Sequence, residues 1–220
     1  MSRPIKIDFV SDVACPWCAV GLRALEEAMA RIPGLQAELR FQPFELNPQM
    51  PAEGEDAIDH LTRKYGISAE QAAQNGEAIR LRGAELGFEF RMDRRRRVFN
   101  TFDAHRLLHW AGLTAAERQL ALKHALLRAY FTDGQDVSSM EVLVRVAEEA
   151  GLDGVRARQV LDSDEYAQAV RDQERHYTEQ GISAVPSVIF NDRHLVQGGQ
   201  PVELFEQALR QLSGIALAQA

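Results

Sequence analysis

Cysteine is rare in this 220-residue chain, which contains only Cys15 and Cys18. The disulfide framework of a small secreted domain is therefore excluded, because these two residues can form at most one bond within the chain. That bond would close a loop of a few residues and would restrict the unfolded chain very little. Redox chemistry explains the pair better than a structural cross-link does.

A long apolar run and an excess of positive charge are also lacking. No stretch approaches the ~18 consecutive apolar residues of a membrane span. The apolar segment at residues 5–10 is short and is interrupted by Lys6 and Asp8, which argues against a signal peptide. The formal net charge of -7 argues against nucleic acid as the main partner. We therefore expect a cytoplasmic protein that binds neither membrane nor nucleic acid.

The chain contains 45% apolar and 26% charged residues, the proportions of an ordinary globular protein. Its length suits one large domain or a core with a sizeable insertion.

The two cysteines form the motif Cys15-Pro16-Trp17-Cys18 between two predicted elements. Residues 5–10 have the alternation of a strand, and apolar residues recur with helical spacing over residues 20–32. Cys15 therefore lies at a predicted helix N-terminus, where free N–H groups and the helix dipole stabilise the thiolate that attacks disulfides. Cys18 follows about one turn later, at the right spacing to resolve a mixed disulfide.

The two residues between the cysteines tune the redox potential of such a pair. Pro16 is tolerated in the first helical turn, where its missing N–H has no helical partner. Trp17 is predicted to be partly exposed and to present a flat apolar surface to a substrate.

The remaining pattern predicts strand, helix, strand, six helices, two strands and a final helix. Strands are expected at residues 35–42, 187–190 and 194–197, the last two forming a hairpin around Asn191-Asp192. Six helices are expected at residues 55–65, 69–86, 101–111, 115–131, 139–150 and 164–180, with a short turn near 154–161. The last helix is expected from Pro201 to about residue 212, with Leu204, Phe205, Ala208 and Leu209 on one face and a frayed tail to Ala220.

Capping signals mark these helix boundaries. Helix starts are predicted from Ser68-x-x-Gln71, Thr114-x-x-Glu117 and Ser138-x-x-Glu141, and from a looser Asn100-x-x-Asp103. Helix ends are predicted at Gly66, Gly87, Gly112, Gly151 and Gly181.

The whole chain resembles the thioredoxin superfamily, and within it the DsbA-like branch and its FrnE-type cytoplasmic oxidoreductases. The resemblance rests on the CPWC motif, on residues 182–187 (Ile-Ser-Ala-Val-Pro-Ser) and on residues 197–201 (Gln-Gly-Gly-Gln-Pro). Residues 100–107 (Asn-Thr-Phe-Asp-Ala-His-Arg-Leu) are similar to 2-hydroxychromene-2-carboxylate isomerases and kappa-class glutathione transferases.

The resemblance implies an α/β protein in which an all-helical insertion, residues 53–180, interrupts a thioredoxin core formed by residues 1–52 and 181–220. It also implies a cis Val185–Pro186 bond that faces the cysteines and holds substrate. Gly199 and Gln200 would lie at the edge of the site, and Asn100 would cap a helix and also line the site. Thiol–disulfide exchange with protein or small-molecule disulfides is the implied activity. No cofactor is required, and glutathione is a possible co-substrate.

One departure separates this chain from its isomerase and transferase relatives, which are expected to carry serine in place of Cys15 and to lack Cys18. Both thiols are present here, which favours dithiol chemistry. A glutathione-dependent transferase or isomerase acting on a small aromatic or polyketide-type substrate stays open as an alternative. A non-enzymatic holdase that binds unfolded peptides also stays open, as do a monomer and a homodimer.

Other polar patterns have weaker functional interpretations. No metal site is predicted, since a lone CxxC without a second ligand pair rarely binds zinc, although His105 and His109 share a helix face. The arginines at residues 94–97 are interpreted as a solvated or ion-paired surface, with binding of an anionic substrate as the alternative.

Overall fold

The computed structural model describes residues 4–114 and 116–215. Its strands are β1 Ile5–Ser11, β2 Ala37–Pro43, β3 Glu55–Asp56, β4 Arg97–Val98, β5 Ser187–Phe190 and β6 His194–Gln197. Its helices are α1 Pro16–Ala30, α2 Ala57–Tyr65, α3 Ala69–Glu85, α4 Phe102–Thr114, α5 Ala116–Phe131, α6 Met140–Glu149, α7 Gly154–Leu161, α8 Ala167–Glu179 and α9 Val202–Ser213. The order confirms the predicted α/β thioredoxin fold with a long helical segment between its halves.

A four-stranded sheet in the order β2-β1-β5-β6 carries the motif. Strand β1 is parallel to β2 and antiparallel to β5, which forms the predicted hairpin with β6. Asn191 and Asp192 connect the hairpin with φ angles of 51° and 57°, the left-handed values that a two-residue hairpin turn requires. The central strand β1 therefore ends directly at the loop that leads to the cysteines.

Strand β2 lies at the edge of this sheet, and a side chain from α5 covers it. Gln119 accepts a hydrogen bond from Phe41 N at 3.0 Å and donates to Phe41 O at 3.1 Å. The same amide nitrogen donates to Leu108 O in α4 at 3.1 Å. One buried glutamine thus satisfies strand groups that would otherwise lack partners and attaches the helices to the sheet.

A continuous cluster of buried side chains joins the sheet, α1 and α9 to helices α4–α7. Phe205 and Leu209 of α9 belong to it, whereas Leu204 is exposed, so its predicted place on the buried face was wrong. The division into residues 1–52 with 181–220 and residues 53–180 stays a prediction.

Several boundaries differ from the sequence prediction. Strand β2 begins at Ala37 rather than residue 35, and α9 begins at Val202, with Pro201 as its cap. Helix α2 begins at Ala57 because residues 55–56 pair with β4, a short ladder that the sequence did not reveal. Residues 154–161 form the full helix α7 rather than a turn, with the Asp153 side chain capping its first N–H groups.

Two of the predicted helix starts were wrong. Thr114 donates its hydroxyl to Trp110 O at 3.1 Å, which makes it part of the end of α4. The cap of α6 is Ser139, because Ser138 is instead bound to Asp136. Ser68 does cap α3, accepting from Gln71 N at 3.1 Å.

Glycine marks four of the five predicted helix ends. Gly66, Gly87, Gly151 and Gly181 have positive φ angles, whereas Gly112 lies inside α4. Residues 216–220, the predicted frayed tail, lie outside the described residues. Among the described helices, none is long and apolar enough to cross a membrane.

Candidate active site

The dithiol lies at the junction of the β1 loop and α1. Cys15 is the residue before the helix, in an extended conformation, and Cys18 N donates to Cys15 O at 3.1 Å. Their exposed fractions are 4% and 0%, and the two thiols are not bonded to each other. Cys15 therefore lies at the edge of the helix where a thiolate is stabilised, whereas Cys18 lies behind it in the core.

The loop before β5 faces Cys15 from the other side of the site. Cys15 Sγ donates to Val185 O at 3.5 Å, a sulfur hydrogen bond across 170 residues of sequence. The Val185–Pro186 bond is cis, as the resemblance implied. Tight packing holds this loop on α1, because a Cβ at Gly21 would lie 3.0 Å from Pro186 Cγ. The sequence analysis did not identify Gly21 as part of the site.

Pro16, Trp17 and Gly199 form the rim beside the thiols. Pro16 is the first residue of α1 and is half-buried, and 41% of Trp17 is exposed, which confirms its predicted partial exposure. A Cβ at Gly199 would lie 3.0 Å from Trp17 Cε3, so this glycine lets the loop before α9 touch the indole. The Gln200 side chain instead donates to Gln197 O at 2.7 Å, within its own loop.

The last turn of α2 contributes two residues that the sequence analysis missed. Lys64 Nζ donates to Leu46 O at 2.8 Å and to Asn47 Oδ1 at 2.7 Å. Burial lowers the pKa of Lys64, although the charges of Asp12 and Cys15 oppose that change. Burial and the Cys15 charge raise the pKa of Tyr65, whose ring is 55% exposed. The helical segment therefore brings one cation and one phenol near Cys15.

A buried polar cluster lies beneath the thiols. Asp12 accepts from Leu46 N at 2.7 Å and from Ala14 N at 3.1 Å. His105 Nε2 lies 3.5 Å from Asp12 Oδ1, which is longer than an ordinary hydrogen bond. Burial by itself would raise the pKa of Asp12, but His105 and the two backbone amides outweigh it and lower the pKa. The carboxylate is thus held as an anion in the core.

Lys123 of α5 completes this cluster and was also missed. Its side chain is 0% exposed, and Nζ lies 5.7 Å from the centre of the Phe41 ring. The signal was present in the sequence, since residues 119, 122, 123, 126 and 127 have the spacing of a buried helix face and position 123 alone is charged. Burial lowers the pKa of Lys123, against the opposing charges of Cys18, Asp12 and Cys15.

The buried cysteine is strongly affected by the same surroundings. Burial, the hydrogen bond with Cys15 and the charge of that thiol raise the pKa of Cys18 well above its ordinary value. Lys123 acts in the opposite direction. Without a proton acceptor, Cys18 therefore stays a thiol at neutral pH.

The remaining predicted polar residues have structural contacts. Asn100 Oδ1 accepts from Phe102 N at 2.9 Å, which confirms its capping role, while its role in the site stays a prediction. Arg95 Nε donates to Tyr130 OH at 3.0 Å, and Arg97 donates to Gly54 O at 3.0 Å, so two of the four arginines hold loops in place. His109 Nδ1 lies 3.2 Å from Gln173 Oε1.

No group of three or more potential metal-binding side chains (His, Cys, Asp or Glu) occurs within residues 4–114 and 116–215.

A parallel β1–β2 pair, an antiparallel β5–β6 hairpin, a dithiol at the β1–α1 junction and a facing proline loop define a protein of the thioredoxin class. Residues 6–210 match the model of the DSBA-like thioredoxin domain, and the chain belongs to that family.

Two similar proteins span nearly the whole chain. The uncharacterized protein YwbO of Bacillus subtilis is 28% identical over 206 residues, which cover 93% of this chain and 96% of YwbO. A probable DsbA oxidoreductase of Streptomyces coelicolor is 36% identical, with a TM-score of 0.87 and coverage of 98% of this chain and 93% of that one. These comparisons support an oxidoreductase-type enzyme.

More distant structures share the fold. A 2-hydroxychromene-2-carboxylate isomerase is 16% identical with a TM-score of 0.70, covering 96% of this chain and 100% of that one. The cytosolic disulfide reductase DsbM of Pseudomonas aeruginosa, in a structure with GSH, is 19% identical with a TM-score of 0.63, covering 94% and 98%. The predicted relation to both groups is confirmed at the level of fold, and the narrower FrnE-type assignment stays a prediction.

Proposed function

We propose that this chain is a thiol–disulfide oxidoreductase whose reacting groups are the thiols of Cys15 and Cys18. The observation that carries the proposal is the position of Cys15 at the start of α1, with its Sγ 3.5 Å from Val185 O and Cys18 one turn behind. A thiolate at that position is stabilised by the helix N-terminus and is the nucleophile of disulfide exchange.

The exchange proceeds in two displacements. The Cys15 thiolate attacks one sulfur of the substrate disulfide, and the other sulfur leaves with the bonding electron pair as a thiolate. Cys18 then attacks Cys15 Sγ and displaces the second substrate sulfur. The substrate gains two electrons, the enzyme forms the Cys15–Cys18 disulfide, and no cofactor takes part. The reverse sequence oxidises a substrate dithiol.

The surroundings of Cys15 suit an extended thiol or disulfide compound. Val185 and Pro186 hold the reacting sulfur from one side, and Trp17 with Gly199 supplies an apolar rim. Backbone groups in such a loop bind extended peptides by strand addition. We place Asn100 and Gln200 further from the sulfur, at the ends of the same groove.

Protein disulfides and small-molecule disulfides are both proposed substrates, with glutathione as a co-substrate. Lys64 and Tyr65 support the small-molecule case, because an ammonium and a phenol near Cys15 can bind carboxylates. The likeness of fold to a disulfide reductase in a structure with GSH agrees with this proposal. A cytoplasmic location is part of the proposal, since glutathione and reduced thiols prevail there.

The test compares two matched serine variants that differ only in which thiol is lost. Reduction of insulin and of oxidised glutathione is followed for the wild-type protein, Cys15→Ser and Cys18→Ser. We expect Cys15→Ser to abolish turnover and Cys18→Ser to accumulate a mixed disulfide at Cys15, detected by intact-protein mass spectrometry. Wild-type turnover in the double serine variant would overturn the proposal.

The same variants separate the two alternatives. A glutathione-dependent transferase or isomerase would bind glutathione saturably and retain turnover in Cys18→Ser. A holdase would suppress aggregation of an unfolded protein equally well in the double serine variant.

A further inference from the structure

Lys123 is a fully buried amine in the part of the fold that lies under the dithiol. Its Nζ has no hydrogen-bond partner among the described residues, and its only cation–π contact there is with Phe41, at 5.7 Å. A buried, unpaired ammonium is costly, so such a lysine is seldom retained without a role. The two displacements of the proposed function leave Lys123 without one.

Titratable groups face Lys123 from each element packed around it. Cys18 and Cys15 approach from α1, Asp12 from the loop before it, and His105 with His109 from α4. Strand β2 contributes Phe41, Gln42 and Pro43, and α8 contributes Gln173, none of which titrates. The strongest charge interaction of Lys123 is with Cys18, ahead of Asp12 and Cys15.

The resolving step needs a proton acceptor at this position. Cys18 must lose its thiol proton before it can attack, yet it is 0% exposed, so bulk water does not reach it. Burial disfavours both the thiolate of Cys18 and the ammonium of Lys123 taken singly. The pair of opposite charges formed by moving one proton between them is mutually stabilised, and proton transfer is most efficient between groups of similar acidity.

We propose that Lys123 accepts the proton of Cys18 in the resolving step and returns it in the reverse reaction. This inference rests on the proposed thiol–disulfide exchange. The Cys18 S–H bond breaks and its proton joins the lone pair of Lys123 Nζ. The Cys18 thiolate then bonds to Cys15 Sγ, and the substrate sulfur leaves with the electron pair of the broken S–S bond. Oxidation states change only at sulfur, as in the exchange itself.

A small cavity gives this proton a route away from the core. The cavity has a volume of about 10 Å³ and is lined by Lys123, His105, His109 and Gln173 among others. That volume suits one water molecule with polar partners. His105 Nε2, which also lacks a hydrogen-bond partner among the described residues, borders the same cavity. The proton can therefore pass from Lys123 toward the Gln173 side of α8.

The experiment measures the two displacements separately. The first is the rate of mixed-disulfide formation with a glutathionylated peptide in a Cys18→Ser background, with and without Lys123→Met. The second is single-turnover release of thiol from the pre-formed mixed disulfide in proteins that retain Cys18. We expect Lys123→Met to change the first rate little and to slow the second by about 100-fold near neutral pH.

The pH profile distinguishes proton transfer from a packing effect. Release in the wild-type protein should vary little between about pH 6 and pH 8, whereas in Lys123→Met it should rise about tenfold per pH unit as hydroxide replaces the amine. Leu122→Met, a volume-conserving change at the neighbouring buried position, is the matched control and should behave like the wild type.

The possible failures are distinct. If Cys18→Ser forms no mixed disulfide, the proposed function itself is wrong. If mixed disulfides form but Lys123→Met releases product at the wild-type rate with the wild-type pH profile, the role of Lys123 is wrong. Should Lys123→Met fail to fold, the wild-type profile still decides, because a release rate that climbs tenfold per unit from pH 6 to pH 8 contradicts an internal proton acceptor.

Discussion

Replacing Lys123 by methionine should make the protein more stable while it impairs resolution. The side chain is 0% exposed, and its amine has no hydrogen-bond partner among the described residues. Leaving such a group unsatisfied costs about 1–3 kcal/mol, and methionine fills a similar volume without a polar atom. We therefore expect the free energy of unfolding to rise by about 1–3 kcal/mol at pH 7, measured by urea denaturation. Each kcal/mol should raise the melting temperature by about 2–4 °C.

The gain should depend on pH in a defined direction. Burial lowers the pKa of Lys123 in the folded protein, so the unfolded chain binds this proton more tightly and folding is penalised at neutral pH. The penalty declines as the pH rises through the lowered pKa toward the unfolded value of about 10.4. The advantage of Lys123→Met should therefore be greatest near pH 7 and shrink by pH 10. A variant less stable than the wild type at pH 7, or an advantage that grows with pH, would refute this reasoning.

Three further changes test other contacts of the site and its support. Asp12→Asn should lower the free energy of unfolding by about 1–3 kcal/mol at pH 7, since the carboxylate accepts two backbone N–H bonds; because its pKa is lowered in the folded state, its contribution is present above pH 4 and fades in more acid solution, so urea midpoints of the two proteins should converge there. Gln119→Leu should cost about 1–3 kcal/mol for each buried backbone group left unpaired at the edge of β2, again by urea denaturation, and an unchanged midpoint would contradict the role of this amide. Gly199→Ala should displace the Trp17 ring, because the new methyl group would lie 3.0 Å from it; a shift in tryptophan fluorescence with little loss of helix by circular dichroism is expected, and an identical emission spectrum would argue against the contact.

Local signals predicted most of the fold. The alternation of residues 5–10 and the hairpin residues Asn191-Asp192 depend on neighbours in sequence, and both elements lie where expected. Errors arose where the outcome depended on a distant partner. Residues 55–56 pair with residues 97–98, and Thr114 bonds back to α4 instead of starting α5. A capping box contains no information about which of two adjacent helices will use its hydroxyl.

The amino-acid sequence by itself determined the chemistry of the site. Two cysteines at the start of a helix, with no third partner, specify a dithiol, and the Val-Pro pair before the hairpin was recognisable by resemblance. Tertiary structure alone decided what surrounds that dithiol. Lys64 and Lys123 lie 46 and 105 residues beyond Cys18 in the printed sequence, and only the packing of α2 and α5 against the core gives them their electrostatic contact with the two thiols. Periodicity shows which face of a helix is buried, whereas the identity of the groups it meets is set by long-range packing.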